Sequence, residues 1–406
     1  MILNAQSEIS LAYYAIDTGN VPLGLLELLR QAASRGIRVR ILADGLKSRL
    51  PADLEELLQR DGVCIRLFHP PLEARPLWLN RRLHDKLLLV DRRAMVIGSR
   101  NLQDQHFGMK EKEEENYVDC DAYLVGAICE HAAAYFDWLW KSADVLPAKE
   151  TQSIRIELTE NRRLKVPFGL TLNPRRERAY RSALKTAVQH LVCTTGIDLE
   201  GHHQQRFECV SNVNACLIRD LEISKSDREV QRQIVVMIDS AQTSLLIESP
   251  YPIFTADVFQ ALRRAAERGV HVRLFTSSLE TTDQILVYAA HQNHKSRLLR
   301  TGICVNEYVG MGKLHTKTMV VDNLSVLLGS YNFDERSDHL NLELCVRIDD
   351  PHVAALIAQS ISSRLYQSQA IAGEGLFPDV GGAENIRKRA QMRLMQTTIP
   401  IIRRSL

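Results

Sequence analysis

Two stretches of the chain share one alternation of apolar and polar positions. Leu29-Arg-Gln-Ala-Ala-Ser-Arg-Gly-Ile-Arg-Val-Arg-Ile-Leu42 reads as the end of a helix, a glycine stop at Gly36 and a β-branched strand. Leu262-Arg-Arg-Ala-Ala-Glu-Arg-Gly-Val-His-Val-Arg-Leu-Phe275 reads the same way, with its stop at Gly269 and an offset of 233 residues. A second matched block follows each copy. His84, Lys86, Asp91, Gly98, Ser99 and Asn101 correspond to His315, Lys317, Asp322, Gly329, Ser330 and Asn332 at an offset of 231. The spacing predicts strands over Leu87–Val90 and Thr318–Val321, each followed by a turn. A second strand comes next, over Ala94–Gly98 in one copy and Leu324–Gly329 in the other.

A matched repeat at this period makes the chain a tandem duplication of one α/β unit, a sheet flanked by helices. The expected fold class is therefore α/β, with two similar lobes. The first lobe is expected over 1–147 and the second over 148–375. An insertion at about 150–226 has no counterpart in the first half, and 376–406 forms a basic tail. In the second copy a helical segment from Asp227 to Gln242 precedes a strand over Thr243–Ser249, and its end, Ala241-Gln242, matches Ala5-Gln6. The first lobe thus starts on a stub of that helix, which reads as a truncated N-terminal helix.

Composition narrows the class without deciding it. Of 406 residues, 45% are hydrophobic and 25% charged, which excludes a disordered or fibrous chain. Lys plus Arg is 51 and Asp plus Glu is 49, so bulk charge implies no polyanion-binding surface. No apolar run is long enough to span a bilayer. Met1–Ser7 lacks the basic and apolar regions of a signal peptide. The eight cysteines show no Cys-x-x-Cys pair and read as reduced core thiols. His202-His203 has no acidic or cysteine partner in phase and reads as a surface loop, so no metal is expected. Trp138 and Trp140, at a helix end, are expected in the core.

The repeated block carries the chemistry. Residues i and i+2 of a strand share a face, so each His projects with its Lys. The following strand ends deliver Ser99 and Asn101, or Ser330 and Asn332, to the same edge. Lysine ammonium groups with Asn and Ser donors suit the non-bridging oxygens of a phosphodiester. One imidazole can attack phosphorus; the other can protonate the leaving alkoxide and then deprotonate an incoming hydroxyl. A nucleophilic imidazole needs an acceptor on its second nitrogen. Asp119 and Glu343, on the strands that follow each block, are expected in that role, with Asp121 as the fallback in the first lobe. Asp91 and Asp322 precede turns and are expected to be structural.

The two copies of His-x-Lys-x4-Asp followed by Gly-Ser-x-Asn resemble the signature of the phospholipase D superfamily over nearly the whole chain. That resemblance implies two lobes, each a mixed sheet between helices, with one active site at the lobe interface. Finer features are similar to bacterial cardiolipin synthases of the C type: Leu79-Asn-Arg-Arg-Leu-His84, Gly98-Ser-Arg-Asn-Leu102, Ser277-Ser-Leu-Glu-Thr-Thr-Asp283 and Gly329-Ser-Tyr-Asn-Phe-Asp334. Several relatives carry Gly where this chain has Ser99 or Ser330. The resemblance implies transfer of a phosphatidyl group onto phosphatidylglycerol, giving cardiolipin through a covalent phosphohistidine. The donor would be a second phosphatidylglycerol or phosphatidylethanolamine. It assigns one His as nucleophile, here taken as His84, with His315 as general acid/base and no cofactor.

Such an enzyme is expected to contact the membrane peripherally, at the cytoplasmic face of the bacterial inner membrane; a truncated start would allow the periplasmic face. Two stretches suit that contact: Pro70–Arg82, which carries Trp78, and Ile386–Leu406, where Arg387, Lys388, Arg389, Arg393, Arg403 and Arg404 are interleaved with Ile, Leu and Met. Neither nucleic acid nor an obligate protein partner is expected. The competing readings are a hydrolytic phospholipase D, a phosphodiesterase or nuclease, and a non-catalytic lipid-binding protein.

Overall fold

In the computed structural model, residues 1–70, 80–148, 172–196, 209–221 and 228–371 are described. They form two compact units. The first comprises Met1–Ile97, Asn101–Phe107 and Ala122–Cys209, and the second Gly98–Arg100, Gly108–Asp121 and Val210–Leu406.

The first unit is built on a seven-stranded mixed sheet. Edge to edge, its strands are Asp121–Val125, Ala94–Gly98, Lys86–Val90, Glu8–Tyr13, Arg38–Asp44, Val63–Phe68 and Val145–Pro147. Glu8–Tyr13 is parallel to Arg38–Asp44 and antiparallel to Lys86–Val90, so Ile9 faces Val39 on one side and Val90 on the other. The second unit repeats this order with Leu344–Asp349, Ser325–Gly329, Thr318–Val321, Ser244–Glu248, His271–Ser277, Cys304–Tyr308 and Ser368–Ile371. It adds Asn214–Arg219 outside Leu344–Asp349, antiparallel to it. The duplicated mixed sheet expected from the repeat is therefore present in both halves.

Helices pack on these sheets through their apolar faces. Asn20–Ser34 buries Leu26, Leu29 and Ala32 against Ile9, Ile41 and Ile65. Ala256–Glu267 buries Val258, Leu262 and Ala265 against Leu245 and Leu274. Both helices end at the expected glycines. Gly36 (φ 89°) and Gly269 (φ 86°) take the left-handed conformation open to a residue without Cβ. The N–H of Ile37 then closes on the carbonyl of Ala32, and that of Val270 on Ala265, which satisfies the last helical carbonyls.

The unit boundaries depart from the expected lobes in two places. The helix Pro174–Thr195, expected inside the second lobe, belongs to the first unit. Asn173 caps its start by accepting from the Arg175 N–H at 2.8 Å. Leu184 joins the first core, Arg181 pairs with both carboxylate oxygens of Asp61 at 2.7 and 3.0 Å, and Arg176 reaches Asp53 at 2.6 Å. Conversely, Gly98–Arg100 and Gly108–Asp121, expected in the first lobe, are grouped with the second unit. The expected tail at 376–406, His202-His203 and the stretch around Trp78 lie outside the described residues.

Two further expectations are corrected. All eight thiols are free, but Cys64, Cys193, Cys209, Cys216 and Cys304 are exposed; only Cys129 and Cys345 are buried. Trp138 is exposed and stacks on Tyr135, and Trp140 is half-buried against Phe136 and Arg66. Flat rings at a helix end cover neighbouring side chains without entering the core.

Asp91 and Asp322 anchor the two sheets in one manner. Asp91 accepts from the backbone N–H groups of Gln6, Ser7 and Glu8, and from the Ser7 hydroxyl, at 2.7–3.0 Å. Asp322 does the same for Gln242, Thr243 and Ser244 and the Thr243 hydroxyl at 2.8–2.9 Å. Each begins a turn of two consecutive left-handed residues, Asp91-Arg92 and Asp322-Asn323. Partial burial works against ionisation of both carboxyls, but the backbone donors outweigh it and hold them below the ordinary carboxylate range. Asp322→Ala is expected to lower unfolding stability by about 2–3 kcal/mol, from lost charge-assisted hydrogen bonds and a left-handed alanine. Urea unfolding of the variant beside the parent checks this.

Candidate active site

In the first unit, His84 and Lys86 lie at the start of the strand Lys86–Val90, both buried. The Lys86 ammonium donates to the His84 carbonyl at 2.5 Å. Tyr14 follows the neighbouring strand, and its N–H donates to the Asp85 carbonyl at 3.0 Å. Its ring meets the His84 imidazole edge-on, with centroids 4.7 Å apart, and Lys86 Nζ stands 5.0 Å from the same ring. Tyr135 donates to Asp85 at 2.8 Å and fixes the residue between His84 and Lys86. Asn101 lies 3.4 Å, Nδ2 to Nε2, from the buried His106.

In the second unit, a short ladder assembles the counterpart. Tyr117-Val118 runs parallel to Lys313-Leu314, the Lys313 N–H donating to the Asn116 carbonyl and the His315 N–H to the Val118 carbonyl, each at 2.8 Å. This register carries Asp119 to His315, whose Nδ1 donates to Asp119 Oδ1 at 2.7 Å. The same carboxylate oxygen accepts from the Ser99 hydroxyl at 2.7 Å, and the Asp119 side chain is wholly shielded from solvent. Lys317 donates to the His315 carbonyl, as Lys86 does to that of His84. Complete burial pulls the Lys317 ammonium down to about 8, against the opposing pull of Asp119, Glu343, Asp283 and Asp334.

Of the two expected acids, Asp119 meets a histidine, with a change of partner. Asp119 follows the first repeat's motif in sequence yet orients the histidine of the second. Asp121 does not serve as a fallback for a histidine: it accepts from the Ser99 N–H at 2.9 Å and pairs with Arg100 at 2.6 Å. Glu343 is fully buried and accepts from the Ser330 hydroxyl and, at 3.1 Å, from Asn341.

The serines are corrected. Ser99 and Ser330 were expected on phosphate, but each hydroxyl is fully buried and already committed. Each donates to its acid and accepts a backbone N–H, from Cys120 at 3.0 Å and from Leu344 at 2.9 Å. A hydroxyl has one proton to give, so these serines hold the carboxylates and leave phosphate to the lysines and asparagines. Among the described residues, the carboxamide oxygens of Asn101 and Asn332 are both buried without a partner. A carboxamide oxygen and a phosphate oxygen both accept, so phosphate would have to be met by the Nδ2 donors of these side chains. Gly98 and Gly329 permit this packing, because a Cβ would lie 2.5 Å from the carbonyl of Cys120 or of Leu344.

Tyr14, Tyr117 and His106 were not singled out in the sequence. Tyr117 sits within the stretch that carries Asp119, and its ring meets the His315 imidazole edge-on at 5.2 Å. His106 occupies the position equivalent to Ser337, whose hydroxyl accepts from the Asn332 N–H at 3.1 Å. The repeat therefore marks the place without marking its chemistry.

Duplicated mixed sheets, each presenting a His-x-Lys pair with a carboxylate-oriented imidazole in the second, define the phospholipase D superfamily. Within it, the chain belongs to the family described as cardiolipin synthase, PLD-like domain, whose model matches residues 1–140 and 234–365. Cardiolipin synthase C of Escherichia coli K12 is 26% identical over 410 residues, covering 94% of this chain and 84% of that protein. An uncharacterised protein of Helicobacter pylori J99 is 25% identical over 402 residues, covering 91% of this chain and 76% of its own. Phosphatidylserine synthase of Haemophilus influenzae Rd KW20, a crystal structure, shares the fold with a TM-score of 0.69 at 15% identity, over 100% of this chain and 91% of that one.

Proposed function

We propose that the chain is a phosphatidyltransferase that makes cardiolipin from phosphatidylglycerol and a second phospholipid through a covalent phosphohistidine. The observation that carries this reading is the Ser99–Asp119–His315 chain beside Lys317. A shielded carboxylate on Nδ1 fixes the ring tautomer and stabilises the imidazolium, the form that protonates a leaving alkoxide through Nε2. In this reading a His84 ring nitrogen attacks phosphorus as the bond to the head-group oxygen breaks, and His315 gives that oxygen its proton. The acceptor hydroxyl of phosphatidylglycerol then gives a proton to His315 and attacks phosphorus, and the phosphorus–nitrogen bond breaks. Lys86, Lys317, Asn101 and Asn332 hold the non-bridging oxygens. The names of the family and of the Escherichia coli relative support cardiolipin as the product.

The test is incubation with labelled phosphatidylglycerol, with and without phosphatidylethanolamine, in mixed micelles. Cardiolipin is expected from the parent, and His84→Ala and His315→Ala are each expected to remove it. Phosphatidic acid without cardiolipin would replace the transferase by a hydrolase.

A further inference from the structure

Asp283, an exposed carboxylate in the second unit, has no part in the chemistry above. It follows the strand His271–Ser277 and precedes the helix Ile285–Arg300. Two phenols grip it, one on each oxygen: Tyr251 donates to Oδ1, and Tyr117 donates to Oδ2 at 2.8 Å. Tyr117 is the residue whose ring meets His315, so one tyrosine side chain separates the carboxylate from the imidazole. Its charge also reaches Lys317.

A fixed negative charge beside a phosphodiester site opposes phosphate binding, so its place there calls for a partner other than phosphate. Burial, and then the Asp283 charge itself, pushes both phenols far above their ordinary range. They therefore stay protonated and remain donors, and Asp283 remains the acceptor. Each carboxylate oxygen has room for a second hydrogen bond. The exposed segment leading to Tyr117 carries Glu111, Glu113, Glu114 and Glu115 together with Lys110 and Lys112, so acids outnumber bases there.

We propose that Asp283, clamped by Tyr117 and Tyr251, accepts hydrogen bonds from the polar head group esterified to the phosphate, and so selects lipids whose head group carries hydroxyl or ammonium donors. This rests on the proposed phosphodiester chemistry at His315.

The experiment measures binding, so it does not depend on turnover. The full chain carrying His84→Ala, with and without Asp283→Asn, is titrated by NMR with glycerophosphoethanolamine, glycerophosphoglycerol and dimethyl phosphate. Asp283→Asn keeps the side-chain shape and removes the charge. It is expected to weaken both head-group diesters about ten- to a hundredfold, the range for a hydrogen bond to a charged group, and not to weaken dimethyl phosphate. A larger loss for the ethanolamine diester identifies an ammonium as the partner, and equal losses identify hydroxyl as well. Equal weakening of all three ligands, or of none, overturns the proposal. A selective loss together with no lipid transfer by the parent chain would refute the transferase and leave the head-group site standing.

Discussion

Asp119→Asn is expected to lower phosphatidyl transfer by about three to four orders of magnitude while leaving the protein folded. The loss has two parts. The asparagine cannot stabilise an imidazolium at His315, and its amide group favours the wrong ring tautomer. A comparable replacement behind a catalytic histidine costs about 10⁴ in rate. Ser99 would keep its bond to the Cys120 N–H, so the local backbone has no cause to move. The signature to look for is a fall in kcat with KM nearly unchanged, because the carboxylate acts on the transition state and not on the bound lipid. A fall of less than about tenfold would remove Asp119 from the mechanism.

Lys317 gives the second large effect and a pH dependence. Its ammonium titrates near 8, lowered by burial. Below that pH it is charged and can neutralise a phosphate oxygen; above it the charge is lost. The profile of kcat/KM, which reports the free enzyme, is therefore expected to fall on its alkaline side with a midpoint near 8, about tenfold per pH unit beyond it. Lys317→Met is expected to cost about a hundred- to a thousandfold, the usual loss for one donor at a developing charge, and to abolish that alkaline limb. An unchanged limb in the variant would assign the titration to another group.

Much of the fold was legible because the duplication makes two independent readings of one pattern. Gly36 and Gly269 stop their helices as expected, and Asp91 and Asp322 pin the strand starts as their place before a turn implied. These are local effects, set by residues within a few positions or one strand away. The site was less legible where long-range geometry decides. Sequence order places Asp119 with His84, yet its pairing with His315 is made by a parallel contact between Tyr117-Val118 and Lys313-Leu314, two dipeptides nearly two hundred positions apart. The serines were misread for the opposite reason: their hydroxyls are consumed by the acid and the backbone N–H next to them, and a motif does not record which donors are already spent. Asp283 lies outside both His-x-Lys motifs; the sequence marked it only as the end of the stretch Ser277–Asp283, and the two phenols converging on it show its role as an acceptor.

The loan of Gly98–Arg100 and Gly108–Asp121 to the second unit bears on how a duplicated gene of this kind can be cut or shuffled. A fragment from Val210 onward would carry His315 and Lys317 but neither Asp119 to orient the imidazole nor Ser99 to hold the acid. The second copy depends on sequence that the first copy encodes, so a separated second half would hold a histidine with no Asp119 to aim it.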